Sequence, residues 1–242
     1  MTTYDLYLES GPRRRKTMVH VLELLGCVAV GPTTEDALAA TPDAIRAFVR
    51  FMSRHGELSA ESAVRSPVDT RVIEHITEGD WLGNGSPYLI FGPDLEPVAG
   101  AEIETLVRRF LGLGEELAAW AATRTDGQLD AAPVGGGRAA RAVLLHTLGA
   151  TGAYLGAALG GAPGFGSIVG ATERGDLVLA EGLRRVAALA AQRVRATTPE
   201  ERAFVRVRPN DRRTLRKALR RMLEHDWEHL AELSRRPKGP QL

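Results

Sequence analysis

The chain reads TLRKALRRMLEHDWEH from Thr214 to His229. Apolar side chains recur in this stretch at spacings of three and four residues, at Leu215, Ala218, Leu219, Met222 and Leu223. Because this is the period of an amphipathic α-helix, we predict a helix over residues 211–235. Continued by further steps of three and four, the apolar stripe reaches His225 and His229. The pattern therefore predicts two imidazoles on the buried face of a helix.

A third histidine lies on another predicted helix, over residues 138–159. His146 falls there in an apolar stripe with Ala139, Ala142, Val143, Ala150 and Ala153. Residues i and i+4 lie one helical turn apart, so His225 and His229 could bind one metal ion together. With His146 facing them, the three histidines would leave a coordination position open for water or substrate. The alternative is that each one is an ordinary hydrogen-bonded histidine.

Two more helical periods complete the second half of the chain. The four predicted helices cover residues 102–122, 138–159, 176–197 and 211–235. Glycine and proline residues separate them, and we expect the glycine-rich stretch 160–170 to be a mobile loop, with a lid over the metal site as the alternative. Four helices of this length predict a four-helix bundle, to which we assign residues 101–242.

The second half also resembles a known family. The run RAVLLH, which ends at His146, and the run TLRKALRRMLEHDWEH resemble the DinB/YfiT-like superfamily. In that superfamily, a histidine of the second helix and a His-x-x-x-His pair of the fourth bind a divalent metal ion inside the bundle. The resemblance covers residues 101–236 and implies His146, His225 and His229 as ligands, with zinc or nickel as the ion. Characterised relatives include thiol-dependent S-transferases and mycothiol-dependent maleylpyruvate isomerase.

A competing motif overlaps the same residues. His225-Asp226-Trp227-Glu228-His229 fits His-x-x-Glu-His, the inverted zinc-protease signature in which the glutamate is the general base. That family takes its third ligand from an acidic residue far downstream, and only a short stretch follows His229 in this sequence. We therefore reject the protease interpretation. Glu224 and Glu228 are expected either at a solvated surface or as partners that orient an imidazole.

The first half of the chain mixes strand and helix patterns. Alternation at Tyr4, Leu6 and Leu8, followed by a β-branched and apolar run over residues 18–30, predicts a hairpin. Thr33 precedes Asp36 by three residues, as in a capping box, and apolar periodicity then continues to about residue 54. Pro42 lies inside this period, so we expect it to kink the helix or to begin a second helix at residue 41.

The run VHVLELLGCVAVGPTTEDAL, which begins at Val19, resembles the N-terminal module of HicB antitoxins. The resemblance covers about residues 1–55. Residues 60–100 are rich in Pro, Gly, Asp and Glu, with Asn84-Gly85 as a turn and residues 88–91 as a short strand candidate. We predict an α+β protein: a small HicB-like α/β module at 1–58, a connector with a hairpin at 59–100, and a DinB-like four-helix bundle at 101–242.

Composition narrows the partners and the compartment. The 31 Lys and Arg residues against 30 Asp and Glu residues leave a net charge of +1, so we expect no nucleic-acid partner. The basic run at residues 13–16 and the arginines of the last helix are expected to be solvated. Cys27 is the one cysteine, no leader pattern opens the sequence, and the apolar stretches are interrupted before membrane-span length. We expect a cytoplasmic protein without a membrane contact, and leave homodimer formation open.

The resemblance to the DinB/YfiT-like superfamily implies a metal-dependent enzyme. Its metal would activate a low-molecular-weight thiol or a water, in chemistry of the S-transferase, isomerase or hydrolase type, on a small-molecule substrate. Asp226, Glu228 and Tyr154 are candidate proton carriers, but the sequence does not assign them a catalytic role. The alternative is a non-catalytic, metal-stabilised interaction module related to HicB antitoxins.

Overall fold

The structure is a computed structural model that describes residues 2–12, 16–57, 68–209 and 211–242. It confirms the predicted α+β class, with a small sheet followed by a helical region. The predicted module boundary near residue 58 and most of the basic run at residues 13–16 lie outside the described residues.

The N-terminal part is a four-stranded sheet with one long helix on it. The strands are β1 (Thr2–Ser10), β2 (Thr17–Val21), β3 (Val28–Gly31) and β4 (Val68–Ile76), and the helix is α1 (Thr34–Arg54). The strand order is β3-β2-β1-β4. Strands β1 and β2 form the predicted antiparallel hairpin, with Leu8 opposite Val19. Leu6 and Leu8 are buried, as their alternation predicts.

Strand β4 corrects the prediction for residues 59–100. This segment contains an edge strand that pairs in parallel with β1, and it contains no strand at residues 88–91. The sequence pattern fails here for a physical reason. An edge strand can leave both faces partly open to solvent, and Val72 and Ile73 are adjacent residues that are each nearly half exposed. No alternation of polar and apolar residues therefore marks the strand.

Helix α1 continues through Pro42 without ending, so no second helix begins at residue 41. Its predicted cap is present: the Asp36 amide donates to the Thr33 hydroxyl oxygen at 3.1 Å. An internal proline costs a helix about 3 kcal/mol. The buried side chains on both sides of Pro42, at Ala37 and Phe48 among others, pack against the sheet and offset that cost.

The second part of the chain forms the predicted four-helix bundle. Its four long helices are α2 (Ile103–Ala122), α4 (Ala140–Leu159), α6 (Leu179–Arg195) and α8 (Leu215–Ser234). Three short helices lie between them: α3 (Asp126–Asp130), α5 (Phe165–Glu173) and α7 (Pro199–Ala203). A ribbon of β5 (Arg206–Arg208) and β6 (Asp211–Arg213) precedes α8. The four long helices begin within four residues of the predicted positions. Helix α2 packs on α6 and α8, and α4 packs on the same two helices, which closes the bundle.

The glycine-rich stretch at residues 160–170 is not the loop that we predict, because helix α5 begins inside it. Phe165 is buried and lies directly against Gly152 of α4, where a Cβ atom would be 2.8 Å from the Phe165 Cβ. The glycine thus makes room for an aromatic anchor, which fixes α5 between α4 and α6.

Helix α4 is long and apolar enough to cross a membrane by composition, and 39% of its most apolar window is buried. The expectation that every apolar stretch is interrupted is therefore wrong for this helix. In the structure α4 packs against α5, α6 and α8 as a bundle helix. By itself its composition is weak evidence for a membrane span.

The sheet and the bundle share one hydrophobic core. Trp227 of α8 lies fully buried against two aromatic rings of α1, with ring centroids 4.9 Å from Phe48 and 5.6 Å from Phe51. Arg109 of α2 reaches the same region, where it pairs with Glu57 and donates to the Leu25 carbonyl at 3.0 Å. Helix α8 therefore has one face toward α1 and the sheet and another toward the bundle.

Candidate metal centre

Helix α8 is held at its first turn by Thr214, which links it to Asp94, 120 residues earlier in the chain. The Thr214 hydroxyl accepts from the Lys217 amide at 3.0 Å and donates to the Asp94 carbonyl at 2.6 Å. From this cap the predicted apolar stripe, from Leu215 to Leu223, is buried as expected. Its continuation places His225 and His229 against α4, with 7% and 6% of their surfaces exposed.

The three predicted histidines meet at one point between α4 and α8. The Nε2 atoms of His146 and His225 are 3.0 Å apart. Ring centroids lie 4.5 Å apart for His225 and His229, and 5.3 Å apart for His146 and His229. One nitrogen from each ring lies within 4.8 Å of the other two. The cluster could therefore hold a metal ion.

A carboxylate fixes the orientation of one ring. The Nδ1 atom of His229 lies 2.9 Å from Glu232 Oε2, and the Arg236 guanidinium donates to Oε1 of the same carboxylate at 2.7 Å. An imidazole that donates from Nδ1 presents the lone pair of Nε2, which is the arrangement commonly found behind a metal-ligating histidine. The sequence analysis missed Glu232, although its i+3 spacing from His229 is a signal that could have indicated it.

A second carboxyl group lies behind the neighbouring ring. The Nδ1 atom of His225 and the Oδ1 atom of Asp226 are both buried, have no hydrogen-bond partner among the described residues, and are 3.8 Å apart. Buried polar atoms without partners are rare in folded proteins. An ion bound at Nε2 would leave the proton on Nδ1, in reach of Asp226 after a small shift. These two atoms therefore fit a metal on the opposite side of the ring.

Burial sets the charge state of the imidazoles. Burial lowers the pKa of His225 well below its usual range, and the neighbouring His229 lowers it further. Burial also lowers the pKa of His229, to about 4. Burial also lowers the pKa of His146. Neutral imidazoles offer lone pairs, so the cluster is in the form that a divalent cation requires.

His146 departs from the prediction because it lies exposed and not inside the bundle. The stripe chosen from the sequence matches the buried face of α4 only in part: Val143 is buried, but Ala142 and Ala153 are exposed, whereas Leu144 and Leu148 outside the stripe are buried. Helix α4 contains almost only small and apolar residues, so its sequence pattern does not distinguish its faces. The outcome is a cluster with two buried rings and one ring open to solvent.

The comparisons with known proteins bear on this half of the chain. A family model described as the DinB superfamily matches residues 109–233. The chain belongs to the DinB superfamily. All three clustered histidines lie inside the matched residues, and proteins of this superfamily generally bind metal. No curated protein and no solved structure matches the chain.

The match to the DinB superfamily begins inside α2 and does not include the N-terminal sheet. Nothing in the comparisons shows a HicB family for that part, so the resemblance to HicB antitoxins stays a prediction. The cytoplasmic location and the absence of nucleic-acid and membrane partners likewise stay predictions.

Helix α8 also carries buried charged side chains one turn before the DinB histidines, which corrects the expectation of a solvated arginine face. Arg220 and Arg221 are 1% and 2% exposed, and both donate to Glu224 Oε2, at 2.9 and 2.7 Å. Arg220 also holds Asp94 through two hydrogen bonds of 2.8 and 2.9 Å. We call these four residues, together with His20 and Glu9, the interdomain charge cluster.

His20 of β2 is the residue of this cluster that sequence reasoning set aside as ordinary. It is fully buried, with Nδ1 2.7 Å from Glu224 Oε1 and Nε2 3.4 Å from Glu9 Oε1. Burial alone would lower its pKa, but the two carboxylates raise it above the usual value. Pairing across more than 200 residues leaves no local pattern, so the sequence cannot indicate this contact.

Three other residues named in the sequence analysis have clear positions. The Tyr154 ring lies next to the histidine cluster, with its centroid 5.9 Å from that of the His225 ring. Glu228 is partly buried on α8, and burial raises its pKa. Cys27 is buried, and burial raises the pKa of its thiol, which argues against a role as a nucleophile.

Proposed function

We propose that the protein is a metal-dependent enzyme of the DinB superfamily in which His146, His225 and His229 hold a divalent ion, zinc or nickel. One observation carries the proposal: side chains from α4 and α8 bring the Nε2 atoms of His146 and His225 to 3.0 Å, in a cluster of two buried rings and one exposed ring whose pKa values are all lowered. Two imidazoles facing each other in this way need either a shared proton or a shared cation.

The residues present suit such an ion. Three neutral imidazoles are a common donor set for zinc in catalytic sites, because three protein ligands leave a position open. Glu232 fixes the His229 tautomer from behind, and Asp226 stands behind His225. The exposed His146 ring leaves the cluster accessible to small molecules on that side.

A divalent ion in this position lowers the pKa of a coordinated thiol or water and so supplies a nucleophile near neutral pH. The protein provides the remaining contributions. His225 and His229 are fixed on one rigid helix, and burial of their rings excludes bulk water from that side. Tyr154 is within reach of the cluster and carries a hydroxyl group, so we propose it as a residue that orients a bound small molecule.

The first experiment is elemental analysis of the untagged protein, because a histidine tag would itself carry metal. We expect about one equivalent of a divalent metal in the wild type after reconstitution with zinc or nickel, and a sharp loss in His225→Ala and in His229→Ala. The matched control is His55→Ala. His55 packs on Phe51 and contacts Glu116, away from the cluster.

The outcomes separate clearly. Equal metal content in His229→Ala and the wild type would show that the ligand assignment is wrong. Loss of metal in the His55→Ala control as well would indicate general unfolding, which circular dichroism of each variant would reveal independently. No metal in the wild type after reconstitution would leave two buried histidines and one exposed histidine without a metal centre.

Chemistry is tested next with a low-molecular-weight thiol and an electrophile. Mycothiol and glutathione, each mixed with monochlorobimane, are suitable probes because the product is fluorescent. We expect the metal-loaded protein to accelerate product formation and the His229→Ala variant to remain at the uncatalysed rate. Ester hydrolysis, measured with 4-nitrophenyl acetate, tests activation of water in the same way.

The second candidate function is a metal that only stabilises the fold. It is favoured by the position of α8, which carries two of the histidines and also holds the sheet through Glu224. A stoichiometric metal that raises the melting temperature without accelerating either reaction would support this alternative. The N-terminal part would then be the functional surface, as a protein-interaction module.

A further inference from the structure

A cavity lies beside the histidine cluster and is formed by both parts of the chain. Its volume is about 260 Å³, and it is lined by α4, α8, the segment before α8, and Pro87 from the N-terminal part. The ring of Tyr154 is part of its wall and also contacts the His225 ring at 5.9 Å. The cavity and the proposed metal centre therefore share one side chain as a common wall.

The lining of this cavity has a charge of one sign. It contains Arg213, Lys217 and Arg221, and none of the described residues that line it carries a carboxylate. The acidic partners of these cations do not line the cavity: Asp211 pairs with both Arg213 and Lys217, and Glu224 pairs with Arg221. A small ligand that enters the cavity therefore meets the cations first.

Arg221 is the cation that is best placed to recognise such a ligand. Its Nη1 atom donates to the Glu224 carboxylate, while its buried Nε atom has no hydrogen-bond partner among the described residues. Its guanidinium carbon lies 5.9 Å from the centre of the Tyr154 ring. On the other side it contacts Gly85, where a Cβ atom would lie 2.2 Å from Nη2. The guanidinium group is thus fixed in place and has an unused donor.

The opposite wall of the cavity is small and apolar. Ala153, Ala157 and Ala158 of α4 and Ala218 of α8 contribute it, with Pro87 at one edge. Arginine binds carboxylates with paired hydrogen bonds, and alanine side chains leave room for a short hydrocarbon chain. Inorganic anions would satisfy the cations but not the alanine wall.

We propose that this cavity binds a small organic carboxylate with a short apolar body, recognised by Arg221 and Lys217. Tyr154 places the cavity next to the metal centre, so the bound carboxylate would be a substrate of that centre. This role as a substrate rests on the proposed function. Binding of the carboxylate itself needs no metal. The two proposals can therefore fail separately.

The test is a titration of metal-free protein with sodium butyrate, followed by NMR of ¹⁵N-labelled arginine side chains. The Arg221 Nε resonance is assigned by its absence in Arg221→Lys. We expect a saturable shift of that resonance with a Kd of about 1 mM, a value within the efficiency limit for a ligand of so few atoms. Butyramide, the neutral analogue, should bind at least about tenfold more weakly, because a charged hydrogen bond is lost.

A variant that fills the cavity tests the location without removing a charge. Ala157→Leu should abolish the butyrate shift, and Ala142→Leu, an exposed position on the same helix, should leave it unchanged. Circular dichroism of both variants establishes that they are folded. The inference is overturned by equal shifts with butyrate and butyramide, by inorganic phosphate binding as tightly as butyrate, or by butyrate binding to Ala157→Leu with wild-type affinity. Metal content is measured separately, and its absence would not alter any of these results.

Discussion

Glu224 and His225 are consecutive residues of α8, and they contact opposite parts of the molecule. The Glu224 carboxylate accepts from His20 of the sheet at 2.7 Å, while His225 Nε2 faces His146 of the bundle at 3.0 Å. One helical step of about 100° separates these two directions. The rotation of α8 that presents the histidines is therefore fixed, in part, by contacts with the N-terminal sheet.

The first prediction concerns the carboxylate behind His229. Glu232→Gln should weaken metal binding by about 10-fold or more, because outer partners of ligating histidines typically contribute that much. The measurement is competition for zinc with a chromophoric chelator at constant pH. The matched control is Glu181→Gln, which removes an exposed carboxylate that pairs with Arg185 on α6. An equal loss of affinity in both variants would contradict the role of Glu232.

Metal removal should destabilise the bundle. A ligand at 100 times its Kd stabilises the state that it binds by about 2.7 kcal/mol, which corresponds to a melting-temperature change of about 5–10 °C in a chain of this size. We expect a chelator to lower the melting temperature of the reconstituted wild type by that amount. His229→Ala should show no change with the chelator. A large effect of the chelator on that variant would mean that the metal binds elsewhere.

The pH dependence of stability should reveal His20. Its pKa is raised in the folded state by Glu224 and Glu9, so its contribution is fully present below its unfolded pKa of about 6.5. The contribution is lost as the pH rises through the folded pKa, since the folded state binds the extra proton in that interval. The slope cannot exceed about 1.4 kcal/mol per pH unit for one proton.

Urea unfolding at several pH values from 6 upward, in steps of about one unit, measures this contribution. The wild type should lose stability relative to His20→Gln as the pH rises, so the difference between the two proteins should shrink. A constant difference across the series would show that the imidazole stays neutral between the two carboxylates.

Trp227 should be essential for the stability of both parts of the chain. Trp227→Ala removes a fully buried ring that contacts Phe48 and Phe51, and such truncations cost roughly 3–5 kcal/mol. Trp81 is the matched control because it is 70% exposed, and Trp81→Ala should change stability by less than about 0.5 kcal/mol. Denaturant unfolding monitored by circular dichroism distinguishes the two, and similar costs would show that Trp227 is not the link between the sheet and the bundle.

Gly85 provides a smaller test of the contact with Arg221. The residue has φ of +71°, and an added Cβ atom would lie 2.2 Å from the Arg221 guanidinium. Gly85→Ala should therefore destabilise the protein by at least about 1 kcal/mol. Gly56 has a similar φ of +72°, and nothing lies within 4 Å of a Cβ atom added there. Gly56→Ala therefore measures the cost of the backbone conformation alone. Equal costs would mean that the guanidinium moves away freely.

The sequence was sufficient for the parts of the fold that depend on local periodicity. Helix α8 and its stripe follow from spacings of three and four, and so do the two histidines on it. The capping of α1 by Thr33 follows from a local pattern in the same way. These features depend on neighbours within about one helical turn, which a single sequence displays directly.

The remainder depends on contacts between distant residues. Strand β4 is recognised as a strand by its pairing with β1, and the buried state of Arg220 is explained by Asp94, more than 100 residues earlier. A run of arginines on a helix looks the same in sequence whether water or carboxylates surround it. The exposure of His146 was missed for a related reason, since α4 has no polar face to compare with an apolar one.

The position of Trp227 between Phe48 and Phe51 also has an evolutionary consequence. The ring belongs to the matched DinB residues, but its neighbours lie outside them. Recombination that exchanged the N-terminal sheet for an unrelated module would leave a large indole uncovered on the bundle. Substitutions at these three positions should therefore co-vary among related sequences that keep both parts.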